Sequence, residues 1–336
     1  MILDDKLKNK EIIVLDGGVG TEIARFGGAM HDAAWCAVAT KTQPEIVRQV
    51  HEAYIHAGAD VITTNTFATC RHVLEAANLA DETVSIITRS VELAREAITN
   101  VAPSRPIAIA GSMANTIAYI PGTYKPDPEY APTAEEEESD YREMAETLAK
   151  AGVDFILMEM MTDIERASRA TKAALNTGLP VWVGISCSLS DDGAVVARNV
   201  QADDPSGQVD KSLLRKPMPL EPIIDAMIAL NPQVVGIMHS SIEATQAGLD
   251  ILLKRWNGPV MIYPETGPPH FSGPDVFAAQ CRRWVEEGVQ IIGGCCDTTV
   301  EHIRTMVNDL PDAVGERSTS PQETAPRPAI PEPIGL

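Results

Sequence analysis

Residues 289–297 read Val289-Gln290-Ile291-Ile292-Gly293-Gly294-Cys295-Cys296-Asp297: a short apolar run, two glycines, two adjacent cysteines and an acid. The run has the length and composition of a strand buried on both faces. Neighbouring side chains of a strand point to opposite faces, so both sulfurs can serve one site only if the chain curls as the strand ends. Gly293 and Gly294 would permit that curl, because they reach dihedrals that a Cβ forbids. Taken alone, the cysteine pair has three readings: two ligands of one metal ion, two buried free thiols, or a strained vicinal disulfide.

Seven other stretches share this plan. Strands are expected at 11–16, 60–66, 106–112, 153–159, 180–187, 233–239 and 259–264, with the eighth at 289–294. Helical periodicity fills the intervals at 44–57, 82–98, 135–151, 164–176, 220–230, 242–256, 274–287 and 300–310. Glycine stands just past several of these helices (Gly58, Gly152, Gly178, Gly288), where a left-handed C-cap is wanted. Eight buried strands, each separated from the next by helix, point to a parallel sheet covered by helices. Eight units fit a closed (β/α)8 TIM barrel. The rival is an open doubly wound sheet, but Asp16-Gly17-Gly18-Val19-Gly20-Thr21 lacks the dinucleotide-binding glycine spacing. The chain is therefore expected to form one barrel domain over 1–310, followed by a tail.

In such a barrel the C-terminal strand ends form one rim, where sites are built. The residues that fall there are Asp16, Asn65 with Thr66, Ser112, Glu159, Cys187, His239, Glu265 and the pair Cys295 and Cys296. Some polarity at strand ends is expected simply because the chain leaves the core. A carboxylate followed by two glycines, a Glu closing the run Phe155-Ile156-Leu157-Met158, and the cysteine pair exceed that expectation. Two segments rich in Pro, Gly and charge also leave this rim, at 119–133 and 191–219, and each is either a lid or an insertion.

The whole-chain composition sets limits. Of 336 residues, 44% are hydrophobic but only 4% aromatic, which suits small aliphatic side chains packed between helices and parallel strands. The formal net charge of −20 and the lack of a basic stretch exclude nucleic acid and anionic membrane as expected partners. No apolar leader or membrane-spanning run occurs, and six scattered cysteines do not form a disulfide framework, so a cytoplasmic location is expected. Residues 311–336, rich in Pro, Ser and Glu, read as a disordered or surface-wrapping tail. No segment requires a homo-oligomer or excludes one.

Several motifs together resemble the homocysteine S-methyltransferase family. They are Asp16-Gly17-Gly18-Val19-Gly20-Thr21-Glu22; Trp35; Pro44-Glu45 with His51, Tyr54 and Ala57-Gly58-Ala59-Asp60; and Thr64-Asn65-Thr66-Phe67. The set continues with Glu159, Tyr263-Pro264 with Gly267, and Gly293-Gly294-Cys295-Cys296 with Glu301-His302-Ile303. It spans the barrel in family order, and the Gly-Gly-Cys-Cys strand is its most diagnostic member. The resemblance implies a zinc-dependent barrel that moves a methyl group to the thiol of homocysteine. It also implies Cys295 and Cys296 as zinc ligands, and Asp16, Gly17 and Glu159 as holders of the amino acid part of the substrate. Trp35 falls where related members place an aromatic donor contact, and Thr64, Asn65 and Ser112 join the expected substrate contacts.

Two departures bear on chemistry. The family's third zinc ligand is a cysteine, but here the sixth unit ends in Gly236-Ile237-Met238-His239, which makes His239 the expected ligand. Imidazole is an ordinary zinc ligand, and a Cys2His set with an open position is known for catalytic zinc. Cys187 is the alternative third ligand, and a rim histidine held only by hydrogen bonds is the simpler account of His239. Glu265 stands where the family has Asn, and an added carboxylate there would favour a cationic donor. The barrel takes up nearly the whole sequence, leaving no cobalamin or folate module, so a free onium donor such as S-methylmethionine or a betaine is expected. A separate corrinoid protein as donor, another small thiol as acceptor, a metal-assisted lyase and a non-catalytic metal-binding barrel are the alternatives.

Overall fold

The structure, a computed structural model, describes residues 2–199, 216–268, 271–311 and 314–315. Most of the segment 191–219 and of the tail 311–336 therefore lies outside the described residues. The chain opens with α1 (Asp4–Lys8), β1 (Ile13–Val14), α2 (Val19–Arg25), α3 (Ala37–Thr42), α4 (Pro44–Ala57), β2 (Val61–Thr63), α5 (Arg71–Glu75) and α6 (Thr83–Val101). It continues through β3 (Ala108–Ala114), α7 (Ala134–Ala151), β4 (Phe155–Met161), α8 (Ile164–Leu175), β5 (Val181–Ile185), β6 (Cys187–Leu189) and β7 (Val195–Ala197). The remaining elements are α9 (Leu220–Ala229), β8 (Val234–Met238), α10 (Ile242–Leu252), β9 (Val260–Tyr263), α11 (Pro274–Glu286), β10 (Ile291–Ile292) and α12 (Val300–Asp309).

All eight expected strands form, and they pair in parallel in the order β1-β10-β9-β8-β5-β4-β3-β2. A parallel bridge between Leu15 and Val61 joins the two ends of that order and closes the barrel. The lumen is filled rather than open. Ile13, Leu15, Val61, Ala108, Ala110, Phe155, Leu157, Trp182, Met261 and Ile291 form one buried cluster, with the Phe155 and Trp182 rings 4.0 Å apart between centroids. A second, larger apolar layer lies between the strands and the helical ring.

Local sequence explains where the helices stop and start. Pro44 opens α4, and Gly58 closes it at φ 110°. The α7 helix starts on a capping box between Thr133 and Glu136 and ends at Gly152 with φ 87°. The polar N-terminus does more than the sequence suggests. It forms the short helix α1, whose preceding Leu3 is buried in the lumen cluster, while Gln290 Nε2 donates to the carbonyls of Lys6, Leu7 and Glu11. This contact caps the end of the barrel opposite the rim.

The rim carries structure that periodicity did not predict. After β5 the chain makes an antiparallel hairpin of β6 and β7, so the described part of 191–219 is partly ordered strand. The helices α2, α3 and α5 are each seven residues or fewer, too short for a helical period to stand out. Among the described residues, no helix is long and apolar enough to cross a membrane.

Candidate functional site

The end of β10 is stitched to both neighbouring strands as it leaves the barrel. Gly293 N donates to Ile262 O (3.0 Å), Gly294 N to Asp16 O (3.1 Å) and Cys295 N to Pro264 O (2.8 Å). The reason for the two glycines differs from the expected one. Neither has positive φ; the left-handed turn falls on Asp297 at φ 60°. The glycines are required by close approach: a Cβ on Gly293 would stand 2.5 Å from Leu15 Cβ, and one on Gly294 2.0 Å from Thr298 Cγ2. Both cysteines that follow are free and half-buried, which removes the vicinal disulfide from the three readings.

His239 follows β8 at φ 44°, its amide donating to Tyr263 O (3.1 Å). That backbone brings His239 Nδ1 to 3.3 Å from Cys295 Sγ. One donor atom from each of His239, Cys295 and Cys296 lies within 4.8 Å of the others, the only such group of three among the described residues. The two thiols share a proton: the hydrogen bond from Cys295, helped by the nearby imidazole, holds Cys296 well below the usual thiol range. Burial works against a charged His239, but the Cys296 charge outweighs it and raises the imidazole above its ordinary value. The cluster is thus built to carry negative sulfur beside a nitrogen donor.

Two buried carboxyls flank it. Asp16 Oδ2 accepts from Thr63 N (2.6 Å), and its Oδ1 from Thr63 Oγ1 (2.8 Å). Glu159 Oε2 accepts from Ser112 Oγ. Burial pushes both carboxyls up to about 7, opposed by these hydrogen bonds. The Tyr263 hydroxyl is fully buried and lies beside Glu159, the polar group it interacts with. Buried polar groups gathered beside a sulfur cluster, one of them a carboxyl raised by burial, mark a place for a polar ligand group.

The other expected contacts are distributed unequally. The backbone at Gly17 and Gly18 runs under the site: a Cβ on Gly17 would stand 2.3 Å from Thr298 O, and one on Gly18 2.5 Å from Cys295 O. Thr64 Oγ1 accepts from Ser112 N (3.1 Å) and pairs with Thr66 Oγ1. The Asn65 side chain is instead consumed within the fold, donating to Cys36 O and Thr40 Oγ1 and accepting from Cys36 Sγ. Cys187 is not with the cluster; its buried Sγ contacts Ala244 O at 3.2 Å and its thiol is pushed up to about 12 by burial. Trp35, at φ 46°, packs edge-on to Phe67 and against Gly20. Glu265 is not a lone anion awaiting a cation, since Arg198 Nη1 donates to its Oε1 at 2.6 Å.

Residues that the sequence did not single out as site members also stand here. Thr63 satisfies both oxygens of Asp16, Tyr263 faces Glu159, and Arg198 reaches in from the end of β7. Tyr263 closes an apolar strand and was legible as a rim residue; Arg198 had no local signal. Four non-glycine residues of this rim, Trp35, Met160, His239 and Asp297, have positive φ. Such conformations cost energy and cluster at functional sites.

A family model described as homocysteine S-methyltransferase matches residues 13–310. Homocysteine S-methyltransferase 4 of Zea mays is 27% identical, over 89% of this chain and 90% of its own length. Selenocysteine methyltransferase of Astragalus bisulcatus is 26% identical, over 88% of this chain and 92% of its own. Among solved structures, the metallated form of the Escherichia coli homocysteine methyltransferase MmuM superposes with a TM-score of 0.70 at 22% identity, covering 91% of this chain and 99% of that one. At that identity the superposition establishes the (β/α)8 fold.

Proposed function

The chain belongs to the homocysteine S-methyltransferase family and is a methyltransferase, and from that premise we propose that it transfers a methyl group from a small onium donor to the thiol of homocysteine, using zinc held by His239, Cys295 and Cys296. The observation that carries this reading is the convergence of one imidazole and two sulfurs, from two different strand ends, within 4.8 Å. Two sulfurs and a nitrogen suit zinc, and three protein ligands leave a coordination position free. Bound there, zinc supplies Lewis acidity that favours the thiolate of an acceptor whose free pKa is about 8.5.

The chain's own residues provide recognition and alignment. Asp16 and Glu159 present carboxylates to the acceptor's ammonium group, and the Tyr263 hydroxyl beside Glu159 offers a further polar contact. The backbone around Gly17, kept close by the absence of Cβ atoms, brings the amino acid moiety beside the sulfurs. Trp35 and Phe67 offer aromatic surface to a cationic donor. Transfer is an in-line displacement: the acceptor sulfur forms the new S–CH3 bond as the donor's bond to that methyl breaks, and the donor leaves neutral. Burial of the site excludes water and fixes this line of attack.

Zinc analysis with X-ray absorption, with and without homocysteine, tests the proposal. One equivalent of zinc, with two sulfur ligands rising to three on adding homocysteine, is the expected result. A protein that holds no zinc, or whose sulfur count ignores homocysteine, would overturn it.

The carboxyls predict a pH dependence. Asp16 and Glu159 sit at about 7 when folded against ordinary values of 3.8 and 4.5. Between those limits the folded chain holds protons that the unfolded chain has released, so stability falls as pH rises from 4 to 7. Melting of the ligand-free protein is expected to be highest near the acidic end of that window and lower at pH about 8. Because an ammonium ligand favours the ionised carboxylates, the rise in Tm on adding homocysteine should be larger at pH about 8 than at about 5. A ligand-induced rise independent of pH would argue against carboxylate recognition.

A further inference from the structure

His239 stands between two partners: Nδ1 is 3.3 Å from Cys295 Sγ, and Nε2 faces Glu265 Oε2 at 3.6 Å, within ion-pair range. The other Glu265 oxygen, Oε1, is taken by Arg198 Nη1 at 2.6 Å, and the same nitrogen donates to the His239 carbonyl at 2.7 Å. Each member is anchored by its backbone. Glu265 N donates to Ser240 O at 3.1 Å, and Arg198 N to Ser186 O at 2.9 Å. The side chains of all three are only 14–16% exposed, so their geometry is held by the fold rather than by solvent.

From this chain of contacts we infer that Glu265, aimed by Arg198, is the positioning carboxylate of His239: it takes the Nε2 hydrogen and leaves Nδ1 as the nitrogen that faces the metal. The inference rests on the zinc reading of the His239, Cys295 and Cys296 cluster. The physical need is specific to a histidine ligand. An imidazole has two nitrogens and two tautomers, and a carboxylate on the far nitrogen selects one, fixes the ring plane and raises the basicity of the near nitrogen. A cysteine in that place has a single donor atom and would need no such partner. The two unusual rim residues, His239 and Glu265, therefore serve one purpose and stand face to face. Arg198 pairs with the carboxylate and ties the β6–β7 hairpin to the backbone carbonyl of the ligand itself. Glu265 is in this way withdrawn from donor recognition, and the cation preference expected from its charge passes to other rim groups.

The test uses the full-length protein loaded with zinc, and with Co2+ as a spectroscopic stand-in. Glu265→Gln keeps size but loses the charge on the far nitrogen. It is expected to weaken zinc binding about 10–100-fold in chelator competition, while the Co2+ spectrum still reports two sulfurs and a nitrogen. Arg198→Gln should weaken binding by less, with part of the loss recovered in Arg198→Lys. Unfolding of each metal-free variant near the wild-type temperature would exclude simple misfolding as the cause. Affinity of Glu265→Gln within about twofold of wild type, against the 10–100-fold expected of an outer partner, would overturn the inference. So would a Co2+ spectrum showing that Glu265→Gln removes an oxygen ligand, since Glu265 would then bind the metal directly. Failure of the zinc reading itself looks different: His239→Ala would hold zinc as tightly as wild type, or no protein would hold it.

Discussion

Cys296→Ser is expected to abolish tight zinc binding and to lower kcat/KM for methyl transfer by about 10^3-fold or more, the scale of several kcal/mol of lost charge stabilisation at the reacting sulfur. Cys296 is the member of the pair held as thiolate, by the hydrogen bond from Cys295 and by His239. Serine has the same shape but a hydroxyl far too weak an acid to replace a thiolate ligand. Without the metal, an acceptor thiol at neutral pH is only a few per cent ionised. The fold should survive, because the contacts that shape this turn are backbone ones: Cys295 N to Pro264 O, Thr266 N to Cys296 O, and Thr298 N to Cys295 O. Metal content, single-turnover methyl transfer and the melting of the metal-free protein check the three parts separately. A variant that loses zinc yet keeps its turnover would remove the metal from the reaction.

Glu159→Gln is expected to raise KM for homocysteine by about tenfold to a hundredfold, the range for losing one charge-assisted hydrogen bond. The kcat should change little, since an ammonium contact is made equally in the ground state and the transition state. Gln keeps the acceptor oxygen that Ser112 Oγ uses, so the change falls mainly on charge. Stability supplies an independent reading. At pH about 8 the buried carboxylate is ionised and unfavourable, so the ligand-free variant should melt higher than wild type, and the difference should shrink as pH falls towards about 4. A variant with unchanged KM would take Glu159 out of acceptor recognition. Asp16→Asn is a poorer probe, because the Asp16 carboxylate accepts from both Thr63 N and Thr63 Oγ1, and an amide has only one acceptor oxygen to offer them.

Much of the fold was legible before any coordinates. Strands covered by helices on one side and packed into a lumen on the other are buried on both faces, so they read as continuous apolar runs. All eight were found, from Ile13–Val14 to Ile291–Ile292. The long helices were equally plain, with α4 matching its expected span of 44–57. Short elements escaped, because α1, α2, α3, α5 and the β6–β7 hairpin do not run long enough to show a period. The site was visible in outline, since polar residues at strand ends share one rim. The reason for Gly293-Gly294 was not, because the demand for space is imposed by Leu15, far away along the chain, and by Thr298, brought back by the turn that follows the cysteines.

Burial is a property that each strand records in its own residues, and it pointed to the barrel and put the cysteine pair on its rim without reference to any partner. Whether a rim residue is a ligand, a support or a bystander depends on what lies across space, and that information arises only when the barrel closes. His239 meets Cys295 across 56 residues, and Arg198 meets Glu265 across 67. Closure turned Asn65 and Cys187 inward to Cys36 and Ala244, set the Tyr263 hydroxyl beside Glu159, and bound the charge of Glu265 to Arg198. Charge compensation of this kind falls off over a few ångströms, so it is decided by the meeting of strand ends and not by the order of residues along the chain.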